Sequence, residues 1–178
     1  MEVPHEDRDE WLDQFLGLGE APPDAGLPPG GVPYLPAGVA EVLAAIRDAP
    51  IRRDTRFVDL GSGLGRVAML VHLLTGARCH GVEIQRALVE QATATAKRLG
   101  LTGVSFECAD AAAAQLDGSV FFLYAPFNGA LLKRVLARLE EAARREPIIV
   151  CTVDLSLDHV GWLKPRATDN LALTIYDS

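Results

Sequence analysis

Apolar and polar residues follow two different periods along most of this chain. From residue 36 onward, short and nearly continuous apolar runs are separated by longer segments with an apolar residue at every third or fourth position. The short runs predict buried strands at 56–60, 78–83, 104–108, 120–124 and 148–153. The longer segments predict helices over 64–75, 85–99 and 129–145, and one that starts near Val39 and ends before Pro50.

The alternation of strands and helices indicates the fold class. Nearly continuous apolar strands that are separated by helices are typical of a parallel sheet covered on both faces. Two further strands, at 162–164 and 171–176, have no helix between them and predict an antiparallel hairpin. We therefore predict an α/β fold: a doubly wound sheet of about seven strands, mostly parallel, with a C-terminal antiparallel hairpin and helices on both faces.

The first 35 residues differ from the rest of the chain. A stretch crowded with proline and glycine, 21–36, prevents regular structure. Before it, a short apolar stripe has helical spacing and consists of Trp11, Leu12, Phe15 and Leu16. We divide the chain into an extension, 1–35, and a domain, 36–178. The extension is either a dispensable tail or a lid helix on a tether, and in the second case we expect the helix to dock over the ligand site.

Composition and charge exclude several classes of protein. The 178 residues carry a formal net charge of −7, which argues against duplex DNA as a partner, because phosphate binding needs a basic face. No apolar run reaches the ~20 residues of a membrane span, and the acidic N-terminus does not resemble a signal peptide. Cys79, Cys108 and Cys151 form no CxxC pair, so we expect reduced core thiols in a cytoplasmic protein and no metal site.

A glycine-rich loop follows the first strand of the domain. It contains Gly61, Ser62, Gly63 and Gly65, and it leads into the helix predicted over 64–75. Such a loop fits a simple turn, a dinucleotide site or another nucleoside site. Arg66 stands where the dinucleotide fingerprint has Gly or Ala, and the Lys-Ser/Thr pair of a triphosphate loop is missing.

Asp59 favours one of these alternatives. It stands two residues before Gly61, at the end of the strand, where its carboxylate would repel a pyrophosphate. The same carboxylate would attract a cationic ligand. S-adenosyl-L-methionine carries a sulfonium and an ammonium and has no phosphate, so it suits this position better than a dinucleotide does.

Two more acidic residues end the next two strands. Glu83 stands 22 residues beyond Gly61, the distance at which an acid binds ribose hydroxyls in nucleoside sites of both kinds. Asp110 follows the third strand, where an acid can accept the adenine amino group. Each acid alone also fits a helix N-cap or a solvated turn. Three together at the carboxyl edge of a parallel sheet, beside the glycine loop, favour a ligand site.

These motifs resemble those of the class I S-adenosylmethionine-dependent methyltransferases. The resemblance rests on Tyr34-Leu-Pro36, on DLGSGLGR at 59–66, on GVEI at 81–84 and on a strand that ends in Asp110. It implies a Rossmann-like fold and S-adenosyl-L-methionine as the cofactor. The cofactor-binding residues that it implies are Tyr34, Asp59, Gly61, Ser62, Gly63, Gly65, Glu83, Ile84, Asp110 and Ala111. A weaker similarity points to the protein-lysine methyltransferase branch.

The resemblance also places the end of the fourth strand beside the transferred methyl group. Tyr124, Pro126 and Phe127 are the catalytic candidates there. Amino-methylating relatives carry Asn or Asp followed by Pro at this place, whereas this chain has Tyr124 and Ala125. The polar oxygen of that motif is missing unless Tyr124 or Asn128 substitutes for it, which argues against amide or nucleobase amino methylation. An aromatic wall at Tyr124 and Phe127 can hold either a cationic amine or the sulfonium by cation–π contact.

The methyl acceptor is therefore not identified by the sequence. A protein lysine or a small-molecule amine is the expectation, and the oligomeric state is open. Two rival functions are a non-catalytic module that binds adenosylmethionine or a partner, and a nicotinamide-dependent oxidoreductase. Among the histidines only His159, past the fifth strand, is a further catalytic candidate.

Overall fold

The computed structural model describes residues 3–178. Its helices are α1 (Arg8–Leu16), α2 (Val39–Asp48), α3 (Arg66–Thr75), α4 (Arg86–Arg98) and α5 (Gly129–Ala143). Its strands are β1 (Arg56–Leu60), β2 (Arg78–Glu83), β3 (Val104–Cys108), β4 (Val120–Tyr124), β5 (Ile149–Val153), β6 (Lys164–Arg166) and β7 (Leu173–Asp177). The prediction of a mostly parallel α/β sheet is confirmed, and β1 to β4 have the predicted bounds.

The strands form one seven-stranded sheet in the order β3-β2-β1-β4-β5-β7-β6. The five strands β1 to β5 are parallel, and β7 is antiparallel to both β5 and β6. The chain winds outward from β1 through β2 to β3 and then crosses back to β4 on the other side of β1. Ligands of open α/β sheets bind at such a reversal, outside the carboxyl ends of the strands.

The C-terminal hairpin has the predicted antiparallel pairing, with β7 inside the sheet and β6 at its edge. The side chains explain this order. Leu173, Ile175 and Tyr176 of β7 are buried, whereas Lys164 and Pro165 of β6 are exposed. Proline lacks an N–H for a second neighbour and is tolerated at an edge, where it also blocks pairing with another chain.

Side chains on the two faces of the sheet form two hydrophobic clusters. Phe122 of β4 packs towards α2 and α3, and its neighbours Phe121 and Leu123 pack towards α5. The period of two along a strand produces this division, because successive side chains point to opposite faces. The sheet is therefore covered on both faces by helices, and its carboxyl edge is left for loops.

The cysteines are free thiols. Cys79 and Cys151 are buried as expected, but Cys108 is partly exposed because β3 is an edge strand. Within residues 3–178 no helix is both long and apolar enough to cross a bilayer. The same residues contain no cluster of three or more His, Cys, Asp or Glu side chains that could hold a metal ion.

Helix α1 packs on the body of the domain and does not cover the carboxyl edge of the sheet. Leu12 and Leu16 are buried in the same cluster as α2 and α3. Arg66 at the start of α3 is buried, and its guanidinium binds Asp9 at 2.7 Å and Asp13 at 3.2 Å. The lid-helix prediction is therefore wrong, because the two leucines of the stripe find their partners in the core. The domain boundary at residue 35 stays a prediction, and the first two residues of the extension lie outside the described part of the chain.

We expect removal of residues 1–20 to lower the melting temperature by several degrees. Burial of a leucine side chain contributes about 1.5–3 kcal/mol, and both Leu12 and Leu16 would be lost. Thermal unfolding of the truncated and full-length proteins measures the change. The matched control replaces the exposed and mutually stacked Trp11 and Phe15 by serine, which should leave the melting temperature nearly unchanged. A truncated protein as stable as the full-length one would contradict this account of α1.

Candidate active site

A cleft of about 210 Å³ lies at the carboxyl ends of β1, β2, β3 and β4. Its floor is made of strand ends and the glycine loop. Its outer wall is the proline-rich segment 24–35, which we call the strap. Nine of the predicted site residues line the cleft: Tyr34, Gly61, Glu83, Ile84, Asp110, Ala111, Tyr124, Pro126 and Phe127. Asp59 and Ser62 line a smaller pocket that adjoins it, and Gly63 and Gly65 support the loop without lining either space.

The glycine loop approaches its neighbours so closely that side chains are excluded. Gly61, Gly63 and Gly65 all have positive φ angles, of 83°, 51° and 78°. A Cβ atom on Gly63 would overlap the ring of Tyr34, and one on Gly61 would meet Pro126 at 2.5 Å. Glycine is therefore required both by the backbone conformation and by the available space.

Asp59 is a buried carboxyl group without a partner. It is 3% exposed, and its Oδ2 atom has no hydrogen-bond partner within residues 3–178. Burial, with a smaller contribution from the nearby Glu83, raises the pKa of Asp59 to about 8. The hydroxyl of Ser62, in the same pocket, is buried and unpaired as well. Unpaired buried polar groups are costly, and a ligand with donors supplies what these two lack.

Glu83 braces the glycine loop. Its Oε2 atom accepts a hydrogen bond from the Gly63 N–H at 3.0 Å, and its Oε1 atom accepts one from the Gln85 N–H at 2.9 Å. A carboxylate has about four acceptor positions, so each oxygen keeps capacity for a further donor. The side chain is buried at the cleft floor, which places that capacity towards a bound ligand.

Asp110 combines a structural contact with a place in the cleft wall. Its Oδ1 atom accepts a hydrogen bond from the Ala112 N–H at 2.9 Å, which fixes the turn after β3. Its Oδ2 atom lies 3.5 Å from the guanidinium of Arg134. Ala111, the next residue in this turn, lines the cleft as well.

The strap is tied to both sides of the cleft. On the β2 side, the Gln85 side chain donates to Asp24 at 2.8 Å and accepts from the Ala25 N–H at 2.8 Å. On the β4 side, the N–H of Val32 donates to Pro126 at 3.2 Å, and the N–H of Asn128 donates to Gly30 at 2.8 Å. The strap therefore spans the cleft. Sequence analysis missed Gln85, whose only signal was its position two residues after Glu83.

Tyr34 joins the strap to the glycine loop. Its ring lies against Gly63, and burial raises the pKa of its hydroxyl to about 12. The phenol is consequently neutral at physiological pH. The prediction that Tyr34 belongs to the site is supported by its place in the lining of both the cleft and the adjoining pocket.

The β4 end of the cleft is aromatic and strained. Tyr124, Pro126 and Phe127 line it, and Ala125 between them has a φ of 37°. Asp154, directly after β5, also lines the cleft and has a φ of 52°. Sequence analysis missed Asp154, although an acid just after β5 repeats the arrangement of Asp110 after β3. His159, the further catalytic candidate, does not line the cleft.

Comparison with known proteins identifies the kind of site. The model of the methyltransferase domain family matches residues 51–146, more than half of the chain. The chain belongs to the methyltransferase domain family. The matched range runs from the residues before β1 to the end of α5 and includes the glycine loop and all three strand-end acids.

Solved structures of methyltransferases share this fold. An RNA methyltransferase from Salinibacter ruber, in complex with S-adenosyl-L-homocysteine, is 26% identical, with a TM-score of 0.64 over 80% of this chain and 92% of its own. A SAM-dependent methyltransferase from Aquifex aeolicus is 13% identical, with a TM-score of 0.60 over 76% and 87%. One from Geobacter sulfurreducens is 23% identical, with a TM-score of 0.50 over 64% and 47%.

This methyltransferase therefore uses S-adenosyl-L-methionine as its cofactor. The residues present fit that molecule. Asp59 offers a buried, unpaired carboxyl group to a cation, and the glycine loop leaves room for close approach of a ligand. The rival interpretation as a nicotinamide-dependent oxidoreductase is wrong, because the family to which the chain belongs is one of methyltransferases.

Proposed function

We propose that the cofactor lies along the strand ends from β4 to β3. In this arrangement Asp59 and Ser62 bind the amino-acid end, next to Gly61, Gly63 and Gly65 of the loop. Glu83 binds the ribose hydroxyls, and Ile84, Asp110 and Ala111 hold the adenine. The arrangement is supported by the unpaired oxygens of Asp59 and Ser62 and by the spare acceptor capacity of Glu83.

The chain contributes position and exclusion of water to methyl transfer. The bound cofactor supplies an activated methyl group on a sulfonium, which a correctly aligned nucleophile displaces in line. Tyr124, Pro126 and Phe127 would hold that nucleophile at the β4 end of the cleft, and Tyr34 and the strap would keep water out. Alignment of two reactants alone removes a large part of such a barrier, about 7–11 kcal/mol.

The acceptor that this cleft suits best is an amine cation, such as a protein lysine or a small alkylamine. The carrying observation is the composition of the lining. Beyond the residues assigned to the cofactor, it contains Asp154 and the rings of Tyr124 and Phe127 at the β4 end, together with apolar strap residues, and the cleft lining has no lysine or arginine. Aromatic faces and carboxylates stabilise cations, and the apolar walls accept an alkyl stem.

RNA is the rival acceptor, because one similar structure is that of an RNA methyltransferase. RNA backbones carry a negative charge at every nucleotide and need cationic contacts. The net charge of −7 and a cleft lining without lysine or arginine disfavour it.

We also place this protein in the cytoplasm, a reducing compartment, in keeping with its three free thiols.

A transfer assay with methyl-labelled cofactor tests the amine proposal. The protein is incubated with separate protein, RNA and small-molecule fractions of a cell extract, and label in each fraction is counted. We expect label in protein or small molecules that acid hydrolysis releases as an N-methylated amine. Label confined to RNA would contradict the amine proposal and favour the rival.

We expect cofactor affinity to rise with pH between about 6 and 8. The pKa of Asp59 in the folded protein, about 8, lies above the ordinary value of 3.8. The Asp59 carboxyl group is therefore mostly protonated at pH 7 when no cofactor is bound. Binding of an ammonium group favours the carboxylate and releases the proton. Of the titratable groups around Asp59, Glu83 raises its pKa, and Tyr34 and Cys79 have raised pKa values themselves and stay neutral. Arg66 lines the same pocket, but its guanidinium is paired with two aspartates of α1.

Calorimetric titration with S-adenosyl-L-homocysteine in two buffers of different ionisation enthalpy measures the released proton. Asp59→Asn should abolish both proton release and the rise in affinity. The raised pKa of Asp59 also makes stability depend on pH, because the folded protein holds this proton more tightly than the unfolded chain does. This contribution to the free energy of unfolding is fully present below about pH 4 and is lost as the pH rises through about 8. Wild-type affinity that does not change over this range would contradict the role of Asp59.

A further inference from the structure

Asp154 lies next to the strained turn at the β4 end of the cleft. Tyr124, the last residue of β4, is in register with Val153, the last residue of β5. The next residues along the two parallel strands, Ala125 and Asp154, are therefore neighbours. They are also the two non-glycine residues with positive φ within 3–178, at 37° and 52°.

The side chain of Asp154 is exposed to solvent at the edge of the cleft, and its carboxylate has no partner within residues 3–178. The backbone N–H of Asp154 donates to Ala172 at 3.1 Å, which fixes the backbone, but the carboxylate takes part in no ion pair among residues 3–178. The other acids of the site differ in this respect. Glu83 accepts two backbone hydrogen bonds, Asp110 binds Ala112 and Arg134, and Asp59 is enclosed beside the glycine loop.

The strain at this position indicates that the backbone is held by its surroundings. A left-handed conformation costs a non-glycine residue of order 1–3 kcal/mol and persists where neighbouring structure imposes it. Aspartate and asparagine tolerate this region better than other residues do. Two contacts hold Asp154 in this left-handed conformation: the pairing of Val153 with Leu173 between β5 and β7, and the hydrogen bond from the Asp154 N–H to Ala172.

We propose that Asp154 is the residue that selects a cationic methyl acceptor. This inference rests on the proposed function, because it assigns the recognition of the amine to a named carboxylate. The turn after β4 offers aromatic rings and backbone but no charged side chain of its own. Asp154 supplies that charge from the neighbouring strand, at the side of the cleft where we place the methyl group.

Methyl transfer to an amine involves the loss of one proton and the exchange of one bond. The acceptor arrives as an ammonium ion paired with Asp154 and loses one proton to water before it reacts. The nitrogen lone pair then forms the N–C bond while the C–S bond breaks and its electron pair stays on sulfur. The product is again a cation, and Asp154 stabilises it in the same way. Asp154 binds the acceptor and takes no proton in this scheme.

Binding of two simple probes tests the proposal without knowledge of the natural acceptor. Protein saturated with S-adenosyl-L-homocysteine is titrated with n-hexylammonium and with 1-hexanol, its uncharged analogue. We expect wild type to prefer the cation at least tenfold and Asp154→Asn to reduce that ratio to nearly one. Asparagine keeps the left-handed backbone, so the substitution removes charge alone. Asp54→Asn, an equal change of charge at the opposite edge of the sheet, should keep the wild-type ratio.

The possible results separate this inference from the proposed function. A wild-type protein that binds neither probe, or binds both equally, overturns the amine acceptor and the role of Asp154 together. A cation preference that survives in Asp154→Asn overturns the role of Asp154 alone. Weakened binding of S-adenosyl-L-homocysteine by this variant also overturns it, because Asp154 would then serve the cofactor. Loss of the preference with unchanged cofactor affinity supports it.

Discussion

Replacement of Gly63 by alanine is expected to weaken cofactor binding at least a hundredfold. Its Cβ atom would overlap the ring of Tyr34, and its φ of 51° disfavours any side chain. The ring must move, and with it the strap that closes the cleft. The loop amide that binds Glu83 at 3.0 Å would shift as well. Titration with S-adenosyl-L-homocysteine measures the loss.

Stability should fall in the same variant. Overpacking costs about 1–3 kcal/mol and left-handed strain about 1–2 kcal/mol more. At about 2–4 °C per kcal/mol for a chain of this size, the melting temperature should drop by roughly 4–20 °C. Thermal unfolding monitored by circular dichroism measures the drop.

Gly100→Ala is the matched control for this substitution. Gly100 has a φ of 68°, but a Cβ atom there meets nothing within 4 Å. Alanine at this position has the backbone strain of a left-handed conformation but no steric overlap with a neighbouring side chain. The melting temperature should therefore fall by only a few degrees, and cofactor affinity should not change. Equal effects of the two substitutions would mean that the contact between Gly63 and Tyr34 is unimportant.

Replacement of Glu83 by alanine is expected to weaken cofactor binding at least tenfold. Each hydrogen bond to a charged carboxylate contributes about 1.5–3 kcal/mol. The variant loses the proposed ribose contacts and also the bonds to the N–H groups of Gly63 and Gln85. Calorimetry gives the dissociation constant, and circular dichroism shows whether the variant is folded.

Glu107→Ala is the control for this prediction. Glu107 is half-exposed on the edge strand β3, pairs with His80 at 3.4 Å and does not line the cleft. Its removal should leave cofactor affinity within twofold of wild type. A folded Glu83→Ala protein with the wild-type dissociation constant would reduce Glu83 to a turn residue.

Much of the sheet could be predicted because its strands are continuous apolar runs. The run 120–124 has one interpretation, a buried strand, and the structure confirms it. The three strand-end acids were found for a related reason, since parallel strands bring their carboxyl ends to one edge. Local sequence therefore contained both the fold class and the floor of the cleft.

The strap and α1 could not be predicted from local pattern. The strap has no period, and its position depends on contacts between residues distant in sequence, such as Asp24 with Gln85. The apolar stripe of α1 indicated a docked helix, but only tertiary packing distinguished its buried Leu12 and Leu16 from Trp11 and Phe15, which are 48% and 51% exposed. The covering element of the cleft is consequently the segment that the sequence suggested as a mere tether.

Asp154 could not be singled out from the sequence for a different reason. A single acid after a strand is a common turn residue, and only the register of β4 with β5 brings it beside the Tyr124 turn. The sequence around Tyr124 carries no charged side chain, and the acid that lines this part of the cleft belongs to the neighbouring strand. A search along the carboxyl edge of every predicted parallel strand would have included it.

One pair of titrations tests the central claim most directly. Wild-type protein is titrated calorimetrically with S-adenosyl-L-homocysteine and, separately, with NAD⁺ under the same conditions. A buried carboxyl group at Asp59 beside the glycine loop predicts micromolar binding of the former, because its ammonium group ionises Asp59 and pairs with the carboxylate. Binding of NAD⁺ should be at least a hundredfold weaker, because a pyrophosphate gains no ion pair with this carboxyl group and is repelled by it once it is ionised. Equal or tighter binding of NAD⁺ would contradict the account.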